Sequence, residues 1–215
     1  MLLAENFARN VFLLDFALFA NMKKWLLFPW ILFLWACDYD DDDTRVCFIG
    51  DSITYQWDLE YFFPQYMPLK HAKNGAKIQD LDDWDLRECR GIPSVILMGT
   101  NNSSEFFDEE RRNAFLRKFY TRVESIQADP LIVISILPRN FQRQQKTQMN
   151  KAISNVNRLI EMGLDSLKGR FVYLNVYPLF AQDEYEVRMD LFKDGLHPNI
   201  AGQEILASEV LKVLR

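Results

Sequence analysis

From residue 44 onward the chain alternates two kinds of apolar rhythm. Short, nearly continuous runs rich in β-branched and other apolar residues occur at 45–49, 94–98, 131–137 and 171–176, with a weaker candidate at 69–73. Each closes on or near a turn former: Gly50, Asn74-Gly75, Gly99, Pro138 and Pro178. Runs of that length predict strands buried on both faces, as in a parallel sheet. Between them, apolar side chains return every three or four positions. Phe115, Phe119, Val123 and Ile126 form one stripe, Met149, Ile153, Val156 and Ile160 a second, and Leu206, Val210 and Val213 a third. This spacing predicts amphipathic helices whose aromatic and methionine residues are core. The alternation predicts an α/β fold, a flavodoxin-like three-layer α/β/α sandwich around a five-stranded parallel sheet. Every strand then ends on one rim, where such folds bind ligands.

The first 43 residues follow neither rhythm. Lys23-Lys24 precede a twelve-residue apolar run, Trp25 through Ala36, and then Cys37. A run this short falls below the roughly 20 residues that span a bilayer as a helix, and basic-then-apolar order predicts a targeting signal. Leu34-Trp35-Ala36-Cys37 resembles the lipobox of bacterial lipoprotein signals, with Trp35 where a small or aliphatic residue is usual. The resemblance implies acylation of Cys37 and a lipid anchor in the membrane of the bacterial cell envelope, facing the periplasm or the exterior. Because residues 1–21 are also apolar, Met22 is the expected start of translation; an uncleaved signal anchor is the rival reading. Asp38-Tyr39-Asp40-Asp41-Asp42-Asp43 repels itself and is read as a solvated tether, not a calcium loop. The expected division is therefore residues 1–37 for targeting, 38–43 for the tether and 44–215 for the folded domain.

Composition narrows the chemistry. With 215 residues, 49% of them hydrophobic, the chain can bury one substantial core but not two. A net charge of -5 opposes a nucleic-acid groove. Cys37, Cys47 and Cys89 stand in no metal-ligand spacing, and His71 and His197 are the only histidines, so no metal is expected. Cys47 reads as a small buried residue of the first strand, with a Cys47–Cys89 disulfide open in an oxidising compartment. His71, without an acidic neighbour in sequence, reads as structural.

Four motifs fall where strands meet the rim. Gly50-Asp51-Ser52-Ile53-Thr54 follows the first strand, so Ser52 would open a helix, with Asp51 as turn and cap. Asn74-Gly75-Ala76 follows the second, and Gly75 would let a backbone N–H face a reacting oxygen. Gly99-Thr100-Asn101-Asn102 follows the third and offers a side-chain amide donor at Asn101. Asp194-Gly195-Leu196-His197-Pro198-Asn199 precedes the last helix. Its carboxylate can reach the imidazole Nδ1 across a glycine turn, leaving Nε2 for a serine. Taken singly, each motif also reads as ordinary turn or cap chemistry.

Together, in this order, the four blocks resemble those of the SGNH (GDSL-like) hydrolases over residues 44–215. Ile53 stands where that family usually has leucine, and no serine precedes Gly75. Gly99-Thr100-Asn101-Asn102 and Leu137-Pro138-Arg139 also look like its platelet-activating-factor acetylhydrolase-like branch. The resemblance implies a serine esterase acting through an acyl-enzyme, with Ser52 as nucleophile, His197 as base and Asp194 as its orienting acid. It further implies an oxyanion hole from the N–H groups of Ser52 and Gly75 and the Asn101 amide, with no cofactor. Expected substrates are O-acetyl groups of glycans or small acyl esters; lysophospholipids and thioesters are the alternative. Segments 56–67 (Trp57, Tyr61, Phe62, Phe63) and 182–192 are candidate pocket walls. Rival classes are a non-catalytic lipid-anchored binding protein on this fold and a flavodoxin-like cofactor binder, the latter opposed by Asp51, which would repel phosphate.

Overall fold

The structure, a computed structural model, describes residues 44–140, 146–167 and 170–214. The expected targeting region, the acylation candidate Cys37 and the expected acidic tether lie outside the described residues. Five strands form one sheet: β1 (Arg45–Gly50), β2 (Met67–Ala72), β3 (Ser94–Leu97), β4 (Leu131–Ile134) and β5 (Phe171–Leu174). All pairings are parallel, in the order β2-β1-β3-β4-β5. The expected three-layer sandwich is the observed one.

The strands alternate their burial between two layers, as a period of two requires. Cys47, Ile49, Ile96, Leu131 and Val133 face the helices α3 (Glu109–Ser125) and α4 (Lys146–Ser166), meeting Phe115, Phe119, Val123, Ile153, Val156 and Ile160. Val46, Phe48, Val95, Leu97, Ile132 and Ile134 face the opposite layer. That layer is built from α1 (Ser52–Tyr55), α2 (Leu59–Phe62), α5 (Tyr177–Phe180) and α6 (Ile200–Leu211). Leu206 and Val210 supply its α6 stripe, and Val213 packs on it from beyond the helix end. Both stripes of the first layer are likewise buried, with Met149 at its margin.

Three strands differ from the sequence expectation by two residues or more at one end. β4 ends at Ile134, three residues short, because buried polar side chains take over the backbone there. Ser135 Oγ accepts from the N–H groups of Val176 and Tyr177, both at 3.0 Å. Asn157 clamps Ile136, its Oδ1 accepting from the Ile136 N–H at 2.9 Å and its Nδ2 donating to the Ile136 carbonyl at 2.8 Å. β2 begins two residues earlier than its apolar run, since pairing with β1 rather than burial defines this edge strand. β5 ends at Leu174.

Cys47 is buried, as expected, and also bonded to Cys89, with the Cα atoms 5.6 Å apart. The bridge joins β1 to a short 3₁₀ turn, Arg87–Cys89, 42 residues away. Closing a loop of that size stabilises the native state by about 4 kcal/mol in the chain-entropy picture. His71 on β2 does have an acidic neighbour. Its Nε2 lies 2.7 Å from Glu88 Oε1, brought there by the same turn, which adjacency in sequence could not reveal.

The Asn157 clamp sets a stability expectation. Asn157→Ala strands a buried N–H and a buried carbonyl, each worth about 1–3 kcal/mol. Urea unfolding of this variant is expected to show a loss of about 2–4 kcal/mol at unchanged m-value.

Candidate active site

The order of the sheet reverses between β1 and β3, so the loops leaving their C-terminal ends diverge and open a crevice. Both loops carry motif residues. After β1, Asp51 caps α1: its backbone is extended (φ -90, ψ -151) and its Oδ1 accepts from the Ile53 N–H at 2.9 Å. This fixes Ser52 as the first helical residue, 7% exposed, at a helix N-terminus whose N–H groups have no intrahelical acceptor.

His197 reaches this serine from the far end of the sequence. Its Nε2 lies 3.0 Å from Ser52 Oγ and its Nδ1 2.7 Å from Asp194 Oδ2. Asp194 Oδ1 meanwhile accepts from the N–H groups of Leu196 and His197, at 2.9 and 2.8 Å. Burial pushes the Asp194 carboxyl up, but those two N–H groups and the imidazole outweigh it and hold the carboxyl below its ordinary value. The carboxylate therefore stays ionised and binds Nδ1–H, which leaves the Nε2 lone pair facing the hydroxyl. Gly195 makes the turn. Its φ is +80, and an added Cβ would come within 2.8 Å of the Asn140 carbonyl. The Asn140 N–H in turn donates to the Gly195 carbonyl at 2.7 Å, so the loop after β4 locks the histidine loop.

The two further donors expected from the sequence lie in the turns that follow β2 and β3. Gly75 adopts φ +74 in the turn after β2, with nothing within 4 Å of where a Cβ would lie. Asn101 is the second residue of the 3₁₀ segment Thr100–Glu105 after β3 and is half-buried. One of its amide hydrogens is committed, donating to the Ala76 carbonyl at 2.9 Å. This bond ties the β3 loop to the β2 loop and leaves the other amide hydrogen available. Its neighbour Asn102, fully buried, strengthens the tie by accepting from the Ile78 N–H at 3.1 Å and donating to Gln79 at 2.9 Å.

Two positioning residues, Gln203 and Asn150, escaped sequence reasoning. Gln203 on α6 accepts from the Asp58 N–H and donates to the Gln56 carbonyl, at 3.2 and 3.1 Å, binding the histidine side of the site to the serine side. Asn150 accepts from the Arg139 N–H at 2.8 Å. The Arg139 guanidinium donates to the Thr100 carbonyl and Ser103 Oγ, at 3.2 and 3.0 Å. A helical Gln or Asn has no periodic signature, and only a solved contact separates it from a surface residue.

The candidate wall 56–67 is divided by the structure. Trp57 and Phe63 turn inward and stack with Phe48, at ring separations of 5.7 and 4.8 Å, so they are core. Tyr61 is exposed and packs edge-on against Phe62 at 4.9 Å. Of segment 182–192, Met189 stands 46% exposed beside Asn140, within 3.7 Å of its amide. A separate cleft of about 470 Å³, lined by Ser154, Arg158, Glu161, Asn175 and Gln182 among others, includes none of the motif residues.

This geometry defines a class: a Ser-His-Asp array at the switch point of a doubly wound sheet. Sequence comparison gives the family. Residues 48–205 match the GDSL-like Lipase/Acylhydrolase family, and the chain belongs to it. The fold is similar to that of a GDSL-like lipase from Bacteroides thetaiotaomicron, at TM-score 0.66 and 20% identity over 80% of this chain and 88% of that one. It is also similar to a member of the lipolytic protein G-D-S-L family from Veillonella parvula, at TM-score 0.58 and 17% identity over 79% and 97% of the two chains. No curated protein matches the sequence.

Beneath the serine, Asp51 is fully buried and its Oδ2 has no hydrogen-bond partner. Burial raises this carboxyl to about 6, against smaller lowering by the Ile53 N–H, the Thr100 hydroxyl and N–H, and the His197 charge. Thr100 counts here as a polar neighbour, because its Oγ1 closes no hydrogen bond of good geometry. A raised native pKa means that below the unfolded value, about 3.8, both states hold the proton and no penalty exists. Stability is then lost as pH climbs to about 6 and stays level above it. The loss is about 3 kcal/mol as an order of magnitude. Asp51→Asn keeps the capping oxygen without the charge. Urea titrations at intervals from pH 4 to 8 should show this fall in the parent and a flatter curve in the variant.

Proposed function

We propose that the chain is a serine esterase that hydrolyses short-chain carboxylic esters, foremost O-acetyl groups on glycans, through an acyl-enzyme. The observation that carries the reading is the continuous relay from Asp194 to His197 to Ser52, with contacts of 2.7 and 3.0 Å. Ser52 Oγ attacks the ester carbonyl as His197 Nε2 takes its proton, and Asp194 stabilises the imidazolium. The tetrahedral oxyanion is met by the Ser52 and Gly75 N–H groups and the free amide hydrogen of Asn101. The imidazolium then protonates the leaving alcohol. Water, deprotonated by the same nitrogen, attacks the acyl-serine and releases the acid. Residues of this chain supply every proton transfer.

The preference for a short acyl group is supported by the inward packing of Trp57 and Phe63. The aromatic residues best suited to line a long acyl channel are instead part of the core. Lipid anchorage through Cys37, facing the periplasm or the exterior, belongs to the same reading, and the Cys47–Cys89 bond supports an oxidising compartment. Acetylated envelope glycans would then be the accessible esters.

Two outcomes test the assignment. On p-nitrophenyl acetate, Ser52→Ala is expected to abolish turnover while remaining folded by circular dichroism, and a fluorophosphonate probe is expected to label the parent at Ser52. Retained turnover or labelling elsewhere would remove Ser52 from its role. Asn101→Ala is expected to lower kcat about 10²-fold, with KM moving far less, because its hydrogen bond strengthens only as the oxyanion forms. A hydrolysis panel of acetylated sugars, longer acyl esters and lysophospholipids, with Ser52→Ala as control, ranks the substrates.

A further inference from the structure

Outside the triad, one cluster of ligating side chains is drawn together by the sheet and used by no step above. Cys47 lies on β1 and His71 on β2, two positions along from Leu69, its register partner, so their side chains share one face. Cys89 arrives from the Arg87–Cys89 turn. One ligand atom from each of the three lies within 4.8 Å of the other two. Both sulfurs are fully buried, and His71 is 17% exposed. Glu88, 53% exposed, brings Oε1 to 2.7 Å from His71 Nε2, an ion-pair contact without hydrogen-bonding geometry.

We propose that the dithiol form of this cluster is a site for a thiophilic divalent cation, Zn²⁺ above others, alternating with the Cys47–Cys89 disulfide. Tetrahedral Zn²⁺ with bonds of about 2.3 Å to sulfur and 2.0 Å to nitrogen holds its ligand atoms about 3.5–3.8 Å apart. Cys47 and Cys89, with Cα atoms 5.6 Å apart, reach that spacing by side-chain rotation once the bond between them is broken. A carboxylate this close, once turned to accept from the ring nitrogen that faces away from the metal, would fix the tautomer of a ligating imidazole. Water from the exposed Glu88 side completes four ligands.

The exchange balances. A dithiol reductant is oxidised to its disulfide, giving two electrons and two protons to the Cys47–Cys89 bond and producing two thiols. Binding Zn²⁺ displaces both thiol protons. A disulfide oxidant reverses the sequence, taking two electrons from the thiolates and expelling the cation. Either state fastens β1 to the turn that covers β2.

The test uses the full chain in detergent carrying Cys37→Ser, so that no third thiol competes. Oxidised protein and protein reduced under argon are each incubated with ZnCl₂, desalted and assayed for zinc, with Co²⁺ as a spectroscopic probe. Reduced protein is expected to retain one zinc per chain and to show the thiolate-to-cobalt charge-transfer band; oxidised protein retains neither. His71→Ala is expected to weaken retention at least tenfold, with Glu88→Gln intermediate. Should the reduced chain unfold, added zinc is expected to restore its circular dichroism. Reduced protein that binds no zinc, binds it equally without His71, or unfolds and is not rescued overturns the proposal. Esterase assays form a separate arm, so failure of the metal site leaves the Ser52 reading untouched.

Discussion

One contact has to be made for the rest of the site to matter: the 3.0 Å approach of His197 Nε2 to Ser52 Oγ, across 145 residues of sequence. Neither partner sits on a strand. Ser52 opens a four-residue helix and His197 hangs from a loop, and rim segments this short do not by themselves hold half-ångström tolerances. The structure solves this by bonding the loops to one another. Gln203 grips the backbone at Gln56 and Asp58 from the helix that follows His197. The Asn140 N–H grips Gly195 from the other side. Lys193 N–H donates to the His197 carbonyl at 2.8 Å, closing the histidine turn on itself. Three different elements thus share the task of placing one imidazole.

Electrostatics work on the same atoms from below. Asp194 and Asp51 are both carboxylates near His197, yet their environments separate them. Asp194 is half in solvent, takes two N–H donors and stays ionised. Asp51 is sealed beneath the serine with one oxygen unpartnered, and burial lifts it toward neutrality. This separation assigns orientation of the imidazole to Asp194 and capping of α1 to Asp51, in keeping with the turn-and-cap reading of the Gly-Asp-Ser block.

What the sequence made legible was whatever repeats or sits beside its partner in the chain. Continuous apolar runs gave β1 and β3 nearly to the residue, because strands buried on both faces have no polar alternation to confuse them. Asp194 and His197 are three apart, so their pairing could be argued from turn geometry. The ends of β4 and the fate of Trp57 could not. β4 stops because Ser135 and Asn157 intercept its backbone, and Trp57 is core because Phe48 and Phe63 are its neighbours in space. The same limit hid Glu88 from His71: residues 17 apart in sequence meet only after the sheet has formed.

The edge strand β2 shows how the fold supports the site where the sheet alone is weakest. β2 pairs with β1 on one side only, and its residues are partly or fully exposed throughout. The turn that follows it carries Gly75, at φ +74. Hydrogen bonding to a single neighbour gives an edge strand little resistance to slipping. Two lateral ties compensate. Asn101 and Asn102 fasten the turn after β2 to the loop after β3, and the Cys47-anchored turn presses Glu88 against His71 from the outer side. Loosening either tie would be felt first in the turn that carries Gly75, because the strand before it is held along one edge alone and depends most on contacts outside the sheet.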